Sequence, residues 1–420
     1  MRVYVFSLFC PFLLGAITKT DVGPLFSILA IVVVVTYSEP LRKDMIFVAL
    51  TGAFGIFLAY FLNTNISPFK PLYQFFAIFF VLTSFGALER YLEDLCRLSL
   101  VLIRLLAFTY VLSVLIPPLS NLLSSILFVN RFSISLLVRS STGFLGEPSF
   151  AAIIFSGFVL ILLIVKQKIP ELTSKKSFCF DLLLSISACI FTRSFTSIAI
   201  LLMLFIPFLL FPFIRGLSKL RLPKKTKYLV VPIISIAALP VFFRYLPQAS
   251  IRSLSLISNF RNDGVVDAFL ADTSIAQRLL NINVFLTNFP LSVDFLFGST
   301  LTEYARVALD TASKLSFNYN SLFISSHPFY AAQVSAYPVL YFSVGLIPAV
   351  AYATLLYLYI TSFRIKLLSS PYSISALLYL ITSLFSGPSL LFPMPIFVIF
   401  LIYSLEAKIN AAHKTFADAR

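Results

Sequence analysis

Arg131, Arg139, Arg193, Arg244, Arg252, Arg261, Arg278 and Arg306 lie between apolar stretches, in segments whose only lysines are Lys19, Lys70 and Lys314. A guanidinium is a planar fork that grips carboxylate or phosphate through two parallel hydrogen bonds; an ammonium is a point charge. The preference for arginine therefore suggests bidentate contact with acidic groups. Those groups are either an anionic substrate or the chain's own acids. Between Arg244 and Ala336 the chain supplies Asp263, Asp267, Asp272, Asp294, Glu303 and Asp310. Proton transfer needs a base within hydrogen-bond reach of the hydroxyl it activates. The candidates are Glu147, which precedes an apolar run, and His327, one of two histidines in the sequence, with Asp272 third.

Composition sets the elements that must hold these residues. The chain has 420 residues, 59% hydrophobic and 12% charged, with a mean hydropathy of +0.96. One soluble core cannot hide that much apolar surface, so the composition predicts an all-α polytopic membrane protein. A span needs about 20 apolar residues. The runs at 3–18, 22–38, 45–62, 72–88, 98–118, 149–165, 178–192, 196–214, 228–243, 335–362, 372–386 and 389–405 predict about 12 transmembrane helices. The first resembles a signal peptide but reads as an uncleaved span, because Gly23 to Tyr37 can form the return helix. Ser386-Gly387-Pro388 predicts the turn of a helical hairpin.

The formal net charge of +15 would suit nucleic acid, but in a membrane chain its position comes first. With the N-terminus in the cytoplasm, the inner loops collect Arg42 and Lys43, then Arg90 and Arg97, then Lys166, Lys168, Lys175 and Lys176. Arg215, Lys219, Arg221, Lys224, Lys225 and Lys227 follow, and later Arg364, Lys366, Lys408, Lys414 and Arg420. The excess charge is thus topology, and no nucleic-acid partner is expected. Both termini are cytoplasmic, and 119–148 and 244–334 face the other side. The domains are a bundle of about nine spans over 1–243, an extracytoplasmic loop domain over 244–334, and C-terminal helices with a cytoplasmic tail over 335–420. Cys10, Cys96, Cys179 and Cys189 show no metal or redox spacing and read as packing residues. Arg104 and Asp181 lie at similar shallow depths, where snorkelling or mutual pairing explains them better than substrate contact.

The outer domain predicts two helices. Asp272-Thr273-Ser274 can cap the first, with Ile275, Leu279, Ile282, Leu286 and Phe289 as its apolar stripe and Pro290 as its stop. Gln277, Arg278, Asn281 and Asn288 fall off that stripe, on a polar face. Thr300-Leu301-Thr302-Glu303 is a capping box for the second, with Leu301, Tyr304, Ala308, Ala312 and Leu315 inward. Glu303, Arg306, Asp310 and Lys314 alternate in sign on the other side, as a self-paired solvated face. Glu147 at a helix entrance also suits the helix dipole.

Arg139 followed by Gly143 to Ala152 (GFLGEPSFAA) resembles a motif of the bacterial O-antigen polymerases, in the polymerase and ligase superfamily of lipid-linked glycan transferases. Phe191-Thr192-Arg193-Ser194, Asp272-Thr273-Ser274 with Arg278, Leu296-Phe297-Gly298 and Gly345-Leu346-Ile347 resemble further features of that family. The resemblance implies a GT-C-like inner-membrane enzyme with a large helical periplasmic loop. It implies glycosyl transfer from undecaprenyl diphosphate to a sugar hydroxyl of another lipid-linked repeat unit, without metal or cofactor, with a chain-length regulator as a possible partner. Arg139, Arg193, Arg244 and Arg278 would bind the diphosphate, and Glu147, His327 or Asp272 would act as base. The ligase branch has a His-Asn or similar pair where this chain has His327-Pro328, which counts against a ligase. A flippase is the other alternative, but the chain shows no inverted repeat and few deep charges.

Overall fold

The structure is a computed structural model that describes residues 2–9, 23–37, 39–62, 69–116, 118–119, 122–123, 148–192, 200–208, 273–288, 296–299, 301–314, 336–363, 370–386 and 393–418. Every regular element among them is helical. In chain order these are α1 (Arg2–Phe9), α2 (Gly23–Thr36), α3 (Lys43–Leu62), α4 (Phe69–Glu89) and α5 (Leu92–Leu115). Then come α6 (Pro148–Lys168), α7 (Lys175–Phe191), α8 (Thr273–Asn288) and α9 (Leu301–Lys314). The last are α10 (Ala336–Val344), α11 (Leu346–Ser362), α12 (Pro371–Ser386) and α13 (Pro393–Asp418). Among the described residues four helices are long and apolar enough to cross a membrane: Lys43–Leu62, Pro71–Glu89, Leu92–Leu115 and Ala151–Lys168. The chain therefore has the architecture of a helical membrane protein.

α6 and α13 form the centre. In α6, 78% of the apolar window is buried, against 39% in α3 and 33% in α5. In α13 every residue from Met394 to Glu406 is buried. α6 up to Val165 and α13 from Met394 to Leu405 are apolar on nearly every side, which suits a position enclosed by other helices. Phe9 of α1 packs on Phe158 of α6 and Phe397 of α13, each at 5.5 Å between ring centroids. Phe85 of α4 stacks on Phe400 at 4.8 Å. Outside this core α2 packs on α4, α3 on α11, and α5 and α6 on α7. Phe47, Leu50, Phe54 and Phe61 of α3 stay exposed, as a lipid-facing helix requires.

Three expectations change. The run 335–362 is not one helix. Gly345 adopts φ +92°, breaks it, and folds α10 back against α11. A straight helix would separate residues 337 and 352 by about 22 Å, yet the Tyr337 and Tyr352 rings lie 6.0 Å apart. Second, α8 turns a different face inward. Leu280, Asn281, Val284 and Phe285 are buried, while Leu286 of the expected stripe is 64% exposed. Several adjacent positions of α8 are apolar, so periodicity alone does not choose the face. Aromatic partners for Phe285 and a polar partner for Asn281 choose it. Third, α13 begins at Pro393 and runs on to Asp418, well past the expected end at 405. The second outer helix meets expectation at Tyr304 and Ala308, which are buried, with Val307 and Thr311 beside them. The expected span 228–243 and residues 124–147 of the outer segment 119–148 lie outside the described residues.

Candidate functional site

α12 is the scaffold on which the candidate elements meet. Its Tyr379 hydroxyl donates to the Ile153 carbonyl oxygen near the start of α6, at 2.5 Å. Six residues on, Phe385 meets Phe285 of α8, with ring centroids 5.7 Å apart. Six helical residues span about 9 Å, so α8 sits just beyond the entrance of α6. The end of α7 lies there too, since Cys189 Sγ is 3.8 Å from Ser156 Oγ of α6. One end of the bundle thus combines the start of α6, the ends of α7 and α12, and the last turn of α8. Segment 200–208 also lies along α12: Ser375 Oγ donates to the Leu204 carbonyl oxygen at 2.8 Å.

Aromatic contacts and two short polar bridges dock α8 and α9 to this end. Phe285 is ringed by Tyr337 at 5.6 Å, Tyr341 at 5.4 Å and Phe385 at 5.7 Å, all edge-on. Such pairs add about 0.5–1.5 kcal/mol each beyond burial. The Tyr341 hydroxyl donates to the Asn288 carbonyl oxygen at 2.9 Å, which ties α10 to the end of α8. Between α8 and α9, the Tyr304 hydroxyl donates to Asn281 Oδ1. Both side chains are buried, so the bond offsets a desolvation that neither could bear alone. Burial pushes the Tyr304 hydroxyl well above its ordinary value, which keeps it a neutral donor.

The connection between α8 and α9 crosses the break between α10 and α11. Gly298 has φ +81° and Gly345 φ +92°, a region L side chains rarely adopt. A Cβ on Gly298 would stand 2.5 Å from the Ser343 carbonyl oxygen, and one on Gly345 would stand 2.8 Å from the Gly298 nitrogen. Two backbones can approach this closely only where both residues lack a side chain. Ser299 closes the crossing, donating from its nitrogen to the Phe342 carbonyl oxygen at 2.7 Å and from Oγ at 3.2 Å.

Of the residues expected to do chemistry, Arg139, Glu147, Arg193, Arg244, Asp272 and His327 lie outside the described residues. Arg278 stands in α8, three residues before Asn281. The described positions next in sequence to several of these are informative. Pro148, which follows Glu147, opens α6; Thr192, which precedes Arg193, closes α7; Thr273, which follows Asp272, opens α8. Sequence reasoning missed Tyr379 and set Asn281 on a polar face, whereas it is buried against Tyr304; both have partners distant in the chain that carry no local signature.

Several of the other described charges have structural partners. Arg104 and Asp181 form a bidentate pair at 2.7 and 2.8 Å, as mutual pairing would require. Glu406 is buried and accepts from Ser370 Oγ and, at 2.6 Å, from Ser373 Oγ at the start of α12, the end away from α8. On α9, Glu303 pairs with Arg306, and Asp310 with Lys314 at 2.6 Å, all on the exposed face. The Arg306 guanidinium holds the Glu303 carboxyl below its usual range.

Searches against protein-family models, curated proteins and solved structures match nothing to this chain. Its class is that of a helical membrane protein, and its activity is argued from its own residues.

Proposed function

We propose that this chain is an O-antigen polymerase of the bacterial inner membrane. It transfers a growing glycan from undecaprenyl diphosphate to a sugar hydroxyl of another undecaprenyl-diphosphate-linked repeat unit. The bond from the anomeric carbon to the diphosphate breaks, a bond to the acceptor oxygen forms, and the hydroxyl proton passes to a base. Undecaprenyl diphosphate leaves with the electron pair. Arg139, Arg193, Arg244 and Arg278 bind the diphosphate and stabilise the charge growing on the leaving oxygen. Glu147 or His327 serves as base, with Asp272 the third candidate. Reaction occurs on the periplasmic face, in a chain of about 12 spans with both termini cytoplasmic and 244–334 as the periplasmic domain.

One observation carries this reading. The start of α6, the end of α7 and the face of α8 meet around the last two turns of α12. Three of the arginine-bearing motifs border or belong to those elements. A site that grips a diphosphate needs several forks converging on one place. Thr192 closes α7 one residue before Arg193, Pro148 opens α6 nine residues after Arg139, and Arg278 belongs to α8, so three of the four proposed arginines lie in, or near in sequence to, the helices that meet there, which supports this reading.

The test is surface glycan from a deletion strain, examined on a gel. The polymerase predicts loss of the ladder with single-unit caps remaining. Loss of caps as well, with lipid-linked units trapped inside, favours a flippase; polymer left on the carrier favours a ligase. Arg139→Ala and Arg278→Ala should each abolish chain extension at unchanged membrane abundance. Normal ladders in both would overturn the site assignment.

A further inference from the structure

We infer that the seam between α5 and α7 binds an anionic phospholipid, with its phosphate held between Arg104 and Lys176. The seam lies where α6 ends and α7 begins, opposite the transfer site. Asp181 of α7 is 1% exposed and takes two bonds from Arg104 of α5, from Nε to Oδ1 at 2.7 Å and from Nη2 to Oδ2 at 2.8 Å. Nη2 also donates to Ser177 Oγ, one turn nearer the start of α7. These partners fix the fork and occupy two of its three nitrogens. Nη1 makes no hydrogen bond among the described residues, and the Arg104 side chain is 49% exposed.

The surroundings of that exposed edge are apolar. Val101, Leu105 and Phe108 of α5 and Phe180 and Leu183 of α7 are all exposed. Asp181 balances the charge of the guanidinium, but hydrocarbon alone over its outer edge would leave the Nη1 donors without an acceptor, which a membrane disfavours. The bond to Ser177 shows the side chain rising along α7 toward its first turn, as a snorkelling arginine does. Exposed Lys175 and Lys176 stand on that turn and make no ion pair among the described residues.

The acids nearby do not cancel this charge. Asp181 is neutralised by Arg104, and Glu93 is held by Arg97 at 2.8 Å. Asp94 stands ten residues before Arg104 on α5, about 15 Å along the helix. Glu171 is in the turn before α7. A lipid with its phosphate level with Ser177 and its acyl chains over Leu105 and Phe180 meets charge with charge and hydrocarbon with hydrocarbon. The two lysines favour an anionic headgroup over a zwitterionic one.

The experiment titrates the purified full-length protein with phosphatidylglycerol and phosphatidylcholine and counts retained lipid by native mass spectrometry. The wild type should retain phosphatidylglycerol selectively. Lys176→Gln should weaken that binding about fivefold. Arg104→Leu combined with Asp181→Leu removes both charges of the pair and strands neither. It should weaken binding at least about tenfold while the protein still melts cooperatively. If the wild type does not distinguish the two lipids, or Lys176→Gln binds as the wild type does, the pair is a helix staple only. Should the double variant fail to purify, Lys176→Gln decides alone.

Discussion

Replacing Gly345 by alanine tests the crossing that fastens α8 and α9 to the bundle. At φ +92° an alanine costs about 1–3 kcal/mol in backbone strain. Its Cβ would stand 2.8 Å from the Gly298 nitrogen and closer still to the Leu296 carbonyl oxygen, and both are backbone atoms that cannot rotate away. Relief means moving residues 296–299, which stretches the 2.7 Å bond from the Ser299 nitrogen to the Phe342 carbonyl oxygen. Losing that bond adds about 1 kcal/mol. The total is about 2–4 kcal/mol. Unfolding entropy grows with length, so in a chain of 420 residues each kcal/mol lowers Tm by about 1 °C. A fall of about 2–4 °C is expected. Cys96 and Cys189 are buried and Cys179 is exposed. In a Cys10→Ser, Cys179→Ser background, a thiol-reactive dye therefore reports unfolding. Gly86→Ala is the control, since it lies inside α4 and its Cβ would meet only the Glu39 carboxylate, at 3.0 Å. Alanine there is neutral, or stabilising by up to ~1 kcal/mol from helix propensity. A Gly345→Ala protein that melts at or above the wild type, or a Gly86→Ala protein that loses as much, would refute the reasoning.

Three further outcomes are expected. Arg104→Leu strands Asp181, which is 1% exposed, and should destabilise by about 3–5 kcal/mol; adding Asp181→Leu should restore most of the lost melting temperature. Tyr379→Phe removes the donor to the Ile153 carbonyl. It should lower stability by about 1 kcal/mol and shorten the glycan ladder, whereas an unchanged ladder would mean that the entrance of α6 does not depend on α12. Glu303→Gln should melt as the wild type does at pH 7, because the Glu303–Arg306 pair is exposed. The sign is fixed by the lowered folded-state value of Glu303. Any contribution is present above the ordinary carboxylate range and lost as pH falls through the folded value. A stability difference that grew on acidification would contradict this.

The helices that carry single, strong sequence signals were legible. α3, α4 and α6 agree within a few residues with the apolar runs at 45–62, 72–88 and 149–165. The alternating charges of Glu303, Arg306, Asp310 and Lys314 pair on an exposed face as their spacing implies. Less was legible where a position depends on a distant neighbour. The run 335–362 is apolar throughout, and nothing in its hydropathy marks a fold-back. The break follows from Gly345 meeting Gly298, 47 positions earlier in the sequence. The inward face of α8 follows from Tyr304, Tyr337, Tyr341 and Phe385. Of the candidate site, the sequence named the motifs, and the structure describes the helices that begin or end beside them.

Composition and periodicity alone determine that this chain is a set of apolar helices with a polar helical pair between them. Burying or lipid-facing so much hydrocarbon leaves no other way to satisfy the backbone. The similar shallow depths of Arg104 and Asp181 already suggested snorkelling or a pair. Tertiary structure decided which helices are central, because α6 and α13 differ from their neighbours in enclosure rather than in hydropathy. It also decided that α6, α7 and α8 share one end of α12. That end is assembled by a hydroxyl on a carbonyl, a ring on a ring and a glycine on a glycine. Each contact joins residues far apart in the chain, so it exists only once the chain has folded.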